Sequence, residues 1–182
     1  MKSKSPNLLA FCVLWVILGL IQGQAAWAQS KVEATEIKIQ SIFIYNFTKY
    51  INWPEEYNRG DFVIGVLGDA DLTEELYKMA KTKNVGNRRM VVKKYAEVAD
   101  IEGRCHILFI PAGSSSLLSS ALKKTKGQPT LVITHKDGLG RAGSQINFVS
   151  SNGKFRFEIN INALEKNGLK CAQQLKSLAI II

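Results

Sequence analysis

The sequence predicts an α/β fold: a single-domain sandwich with a mostly parallel sheet, a C-terminal antiparallel hairpin and flanking helices. Three observations predict it. Four short apolar runs, FVIGVL at 62–67, MVV at 90–92, HILFI at 106–110 and TLVI at 130–133, are unbroken rather than alternating. Unbroken runs suit strands buried on both faces of a parallel sheet. Helical patterns lie between them, and alternation of strand with helix leads to layers joined by crossovers. Towards the end the pattern changes: QINFV and KFRFEI alternate on either side of Asn152-Gly153, a tight-turn pair that makes an antiparallel hairpin.

The chain opens on a leader. Lys2 and Lys4 precede an uncharged run, Leu8–Ile21, and Ala26-Trp27-Ala28 offers small residues where a signal peptidase cuts. That run is shorter than the roughly 20 residues a spanning helix needs. Cys12 lies inside it rather than at its end, so the pattern is not that of a lipoprotein. Cleavage is expected near Ala28, placing the mature chain in an extracytoplasmic, periplasmic space. Taking those 28 residues from 182 leaves 154, enough for one domain with its own core.

From about Val32 a helix is expected, with Ile39, Ile42, Phe43, Asn46, Phe47 and Tyr50 as its core-facing stripe and Ile37, Ile44 and Ile51 partly elsewhere. Pro54 ends it near Tyr50–Asn52. Trp53 is the one tryptophan after the leader, and two readings stand for it. It either caps the core where the chain turns towards strand 62–67, or leaves its indole partly exposed to grip a partner together with Tyr50 and Pro54. Further helices are expected over Leu72–Lys81, around Ala96–Ile101 and over Ser115–Lys126. Inside the hairpin, Ile146 and Phe148 share one face, and Phe155, Phe157 and Ile159 point inward. Leu164, Leu175, Leu178 and Ile182 have helix-like spacing, with Asn167-Gly168 ending or bending that closing helix, which would carry Cys171.

The formal charge is +9, or +7 once Lys2 and Lys4 are set aside. Export removes nucleic acid as a partner, and the lysines are scattered, as on a solvated face. The turn GVLGDAD lacks the glycine spacing of a dinucleotide loop, and Asp69 and Asp71 would repel a pyrophosphate. No nucleophile elbow is present, the two histidines and two remaining cysteines lack zinc spacing, and no catalytic residue, metal or cofactor is expected. His106, inside an apolar strand, reads as a satisfied core residue. His135 follows a strand end, where sites form in α/β sheets. With Ser114, Ser115, Ser116 and Asp137 it makes the candidate pocket of an alternative function, a periplasmic small-ligand binding module feeding a sensor kinase or transporter. Cys105 and Cys171 either pair in an oxidising compartment or are two small buried hydrophobes.

The segments FIYNFTKYINWP, GRCHILFIP, LVITHKDGLGRAGSQINFV and KFRFEININALEKNGLKCAQQLKSLA, taken in order, resemble the YfiR family of exported bacterial proteins from about Ile39 to Ala179. The resemblance implies an α/β sandwich, a capacity to dimerise and a regulatory role. Such a protein restrains an inner-membrane diguanylate cyclase through the periplasmic sensor domain of that enzyme, so that release raises cyclic di-GMP in the cell. The matching positions are Phe47, Tyr50, Trp53, Pro54, Cys105, His106, Gly143, Ile146, Phe148, Phe157, Ile159 and Asn160. Departures are Thr134-His135 for a usual Ser-Asp, Gly143-Ser144 for a paired glycine, and Lys170-Cys171 for a Ser-Ser cap. With only Cys105 and Cys171 after the leader, the stabilising disulfides of better-known members have no full counterpart here.

Overall fold

The computed structural model describes Lys31 and residues 34–151 and 153–182; the expected leader and its cleavage point lie outside the described residues. Helix α1 (34–50) is followed by β1 (Ile51–Asn52), β2 (Phe62–Leu67), α2 (Leu72–Ala80), β3 (Asn84–Val85) and β4 (Arg88–Tyr95). Then come β5 (Ile107–Ile110), α3 (Leu118–Lys124), β6 (Leu131–Thr134), and the hairpin β7 (Ile146–Ser151) and β8 (Lys154–Ile159). The chain closes with α4 (Ile161–Lys166), β9 (Lys170–Cys171), α5 (Gln173–Lys176) and β10 (Ile180–Ile181).

Eight strands form one sheet in the order β10-β8-β7-β6-β5-β2-β4-β3. The middle is parallel, through β2–β4, β2–β5, β5–β6 and β6–β7, and the β7–β8 hairpin is antiparallel, with Phe148 opposite Phe157. This is the predicted mostly parallel sandwich. Strands β2, β5 and β6 are unbroken apolar runs because both of their faces are covered. Along β5, Ile107 and Phe109 enter one core with Ile44, Phe47, Leu76 and Phe148, while Leu108 and Ile110 enter a second with Leu118 and Ala121. Either core alone would have left an alternating strand.

Four expected elements differ. The buried face of α1 is Gln40, Ser41, Ile44 and Phe47, whereas Ile42 is 48% exposed and Tyr50 36%. The helix is therefore rotated from the expected stripe. Its sequence is apolar around most of its circumference, so periodicity alone did not fix the face. The closing helix is also not a single bent helix. Gly168, at φ 72, ends α4, and Lys170-Cys171 then pairs antiparallel with Asn52 and Ile51. Ile180 and Ile181 add a parallel edge strand beside Glu158 and Ile159. The helix expected over Ser115–Lys126 is α3 preceded by a 3-10 segment, Ala112–Leu117. The piece expected around Ala96–Ile101 is a short 3-10 turn, Val98–Asp100.

Candidate functional site

The Trp-Pro corner is built where α1 runs into β1. The antiparallel bridge from Ile51 to Cys171 and a hydrogen bond from the Ala172 N–H to the Tyr50 carbonyl, 2.8 Å, clamp this corner to the C-terminal segment. Pro54 then sets the chain into a 3-10 turn, Glu55–Tyr57. Trp53 points inward: it is 8% exposed and meets Phe62 edge-to-face at 5.1 Å and 88°. The partly exposed indole is thus corrected to a core residue, because the β1–β9 bridge covers the corner that the sequence leaves open. Tyr50 is exposed and Pro54 half-buried, so these two remain on the surface.

Behind Trp53 lies His106, fully buried at the entry to β5. Its Nδ1 accepts the Val63 N–H at 3.0 Å, which places the ring proton on Nε2, and Nε2 donates to the Tyr57 carbonyl at 3.0 Å. Arg88 donates to the same carbonyl at 2.7 Å. Burial is the main cause that pulls the His106 pKa below its ordinary value, with the Arg88 and Arg104 charges acting in the same direction. This is a neutral, satisfied histidine in a structural role, as its apolar strand suggests.

The carboxyl ends of β5 and β6 carry the other candidates, and the structure divides them. His135 lines a cleft of about 200 Å³ with Glu36, Gln40 and Asp71. Its Nε2 lies 3.1 Å from Glu36 Oε1, and Gln40 Nε2 lies 3.2 Å from its Nδ1. The ring also stands edge-on to Phe148 and Phe155, at 6.2 and 6.0 Å. Ser115 and Ser116 line a different cleft of about 460 Å³, with Lys123 and Lys126. Ser114 packs its hydroxyl towards Gly68, and Asp137 is exposed; neither lines these two clefts. One pocket holding Ser114, Ser115, Ser116, His135 and Asp137 is therefore corrected to two separate depressions. Glu36 had no signal of its own in the sequence, since only the packing of α1 over the sheet brings position 36 to position 135, and Asp71, read there only as a residue of the GVLGDAD turn, lines the same cleft.

A buried polar network holds the strand ends in place. Thr134 Oγ1 donates to Asn147 Oδ1 at 2.7 Å and contacts Ser144 Oγ at 2.8 Å, and Asn147 Nδ2 donates to Glu158 at 2.9 Å. Lys136 Nζ donates to Ser115 Oγ at 3.2 Å. Lys136 is exposed, so this contact lies at the surface.

Cys105 and Cys171 are both free thiols, so the pairing between them is not made in this structure. Cys171 lies in β9, not in a helix, and its thiol is pushed up by burial. Burial of the Cys105 thiol, chiefly, pushes it up to about 12, which suits a small hydrophobe rather than a nucleophile. Among the described residues no three His, Cys, Asp or Glu side chains converge as metal ligands, and no helix is long and apolar enough to cross a membrane.

Compared with known families, residues 37–180 match the model described as DUF4154, YfiR/HmsC-like. No curated protein matches the chain.

Proposed function

This chain belongs to the YfiR/HmsC-like family, and on that premise we propose that it is a periplasmic, non-enzymatic regulator. It binds the periplasmic sensor part of an inner-membrane signalling protein, a diguanylate cyclase, and holds it inactive. The observation that carries this reading is the family match itself, which runs from within α1 to the last strand and so takes in the whole sheet and the Trp-Pro corner. The leader expected at 1–28 supports export.

Restraint needs no chemistry. A protein that binds the inactive sensor state more tightly than the active one shifts the population by that difference. Moving the ratio from about 1:99 to 99:1 takes roughly 5.5 kcal/mol. The surface of the corner, Tyr50 and Pro54 with the exposed Glu55 and Glu56, is the part of the proposal that meets the partner. Homodimerisation belongs to the same proposal and is read by light scattering of the purified mature chain. The binding test is capture of solubilised inner-membrane sensor proteins on the mature chain, with Tyr50→Ala as comparison. Recovery of a cyclase by the wild type and its loss with Tyr50→Ala supports the reading. Capture of no membrane signalling protein refutes it.

A further inference from the structure

We infer that the α3 face of the sheet is a docking surface for an anionic phospholipid bilayer, held there by charge rather than by insertion. The inference goes beyond the regulatory reading and does not depend on it.

The cations are scattered along the sequence, but the two helical layers of the fold share them unequally. On one side of the sheet, α1 and α2 carry Lys38, Lys49 and Lys78 against Glu36, Glu74 and Glu75, a balance of zero. On the other, the chain has no aspartate or glutamate between Glu102 and Asp137. That stretch contains five cations: Arg104, Lys123, Lys124, Lys126 and Lys136, all exposed. Leu118 and Ala121 hold α3 on this side, in the core of Leu108 and Val132. Helices α1 and α2 put Ile44 and Leu76 into the opposite core.

The five form one band. Lys123 and Lys126 line the cleft of about 460 Å³ on one flank of α3, together with Ser115, and Lys136 Nζ reaches Ser115 Oγ at 3.2 Å. Lys124 lines a second cleft, of about 440 Å³, on the other flank. It shares that cleft with Arg104, whose guanidinium stands over the Tyr57 ring at 5.2 Å and keeps its charge there. Glu102 is the one carboxylate that lines either cleft. Ser116, Ser119 and Ser120, exposed on the same elements, add hydroxyl donors. In the loop after β6, Arg141 offsets Asp137.

Structural roles do not account for the band. The ion pairs among the described residues are Lys78–Glu75, Arg89–Asp61, Lys94–Asp69 and His135–Glu36, and none uses one of the five. The carbonyl end of α3 favours Lys123 and Lys124 in its last turn, and that effect does not reach Arg104 or Lys136. Like charges left together repel, and an anionic surface turns that cost into attraction. A bilayer suits the arrangement better than a small anion, because the cations are spread over one exposed face instead of meeting at a point. Each lies where a surface potential acts, within a Debye length of about 8 Å once the face is apposed to lipid. Insertion has little to work with: Leu118 is buried, and Leu122 and Leu139 are half-buried.

The test is co-sedimentation of the exported, processed protein with phosphatidylcholine–phosphatidylglycerol vesicles, beside vesicles of phosphatidylcholine alone. Binding is expected to the anionic vesicles only, and to be lost as salt is raised. Each neutralised lysine of the band should lower the partition coefficient about fivefold, so Lys123→Gln/Lys124→Gln/Lys126→Gln together should lower it about a hundredfold. All three side chains are exposed, and an unchanged circular dichroism spectrum verifies that the variant is folded. Lys38→Gln/Lys49→Gln, on α1 across the sheet, should stay within about twofold of wild type, since those charges lie far from the apposed lipid. No binding to anionic vesicles, or binding that ignores salt, would overturn the inference. So would equal loss per charge removed in the two variants, which would make net charge the cause and not this face. Displacement by soluble glycerol phosphate would also overturn it, in favour of a pocket for a single headgroup.

Discussion

Replacing Trp53 by alanine tests whether the corner is packing or grip. The indole is 8% exposed, 5.1 Å from Phe62 and 6.3 Å from His106, and shares its core with Ile44 and Phe47. Removing a buried tryptophan side chain costs about 3–5 kcal/mol, from lost transfer energy plus the cavity left behind. In a domain of about 150 residues each kcal/mol moves Tm by roughly 2–4 °C, so Tm should fall by roughly 6–20 °C. Trp53→Phe should behave differently. The indole Nε1 is buried with no partner among the described residues, so the phenyl ring discards that donor while keeping much of the packing. A variant within about 1.5 kcal/mol of wild type is expected. Urea unfolding followed by far-UV circular dichroism measures both, because tryptophan fluorescence is lost with the residue. If Trp53→Ala unfolds within about 1 kcal/mol of wild type, the inward placement is wrong and the indole belongs to the surface.

Three further outcomes are expected. His106 is held neutral, so its folded pKa lies below its ordinary 6.5, and the unfolded chain binds more protons there. Stability is therefore full above 6.5 and declines as pH falls below it; His106→Gln should flatten that part of a urea-midpoint profile between acidic and neutral pH. Gly68 has φ 97, and a Cβ there would sit 2.0 Å from Ser114 Oγ. Gly68→Ala should cost about 1–3 kcal/mol by thermal unfolding, only partly recovered by adding Ser114→Ala, because the backbone strain stays. Asn160 caps α4 by accepting from the Ala163 N–H at 3.0 Å and also donates to the Gly140 carbonyl at 3.0 Å. Asn160→Ala should cost about 1–2 kcal/mol in chemical denaturation, against a few tenths for the exposed Asn162→Ala.

The sheet was legible because its signal is local. FVIGVL, HILFI and TLVI each fill both cores at once, so burial on two faces is written into consecutive residues, whereas of MVV only Met90 and Val92 are buried, in the main core. The hairpin was legible from Asn152-Gly153 and the alternation of Phe155, Phe157 and Ile159. The C-terminal pairings were not. Lys170-Cys171 is a strand only because Ile51-Asn52 lies opposite it, and no local pattern in two residues announces a partner that distant. The rotation of α1 was hidden for a related reason. Gln40 and Ser41 look like surface residues, yet both are buried: Gln40 finds His135 and Ser41 bonds the Lys38 carbonyl. At the candidate site, His135 lies just after β6, at a strand end, and lines a cleft there. Its true neighbours, Glu36 and Asp71, come from α1 and the turn after β2, and only tertiary packing selects them over Ser114 and Asp137.

The central claim, restraint of a membrane cyclase from the periplasm, is tested most directly by intracellular cyclic di-GMP in four strains: wild type, deletion, and deletion complemented with the full chain or with a chain lacking residues 1–28. A rise on deletion, reversed by the full chain and not by the leaderless one, is the predicted result. An unchanged level on deletion, or reversal by the leaderless chain, would contradict the account.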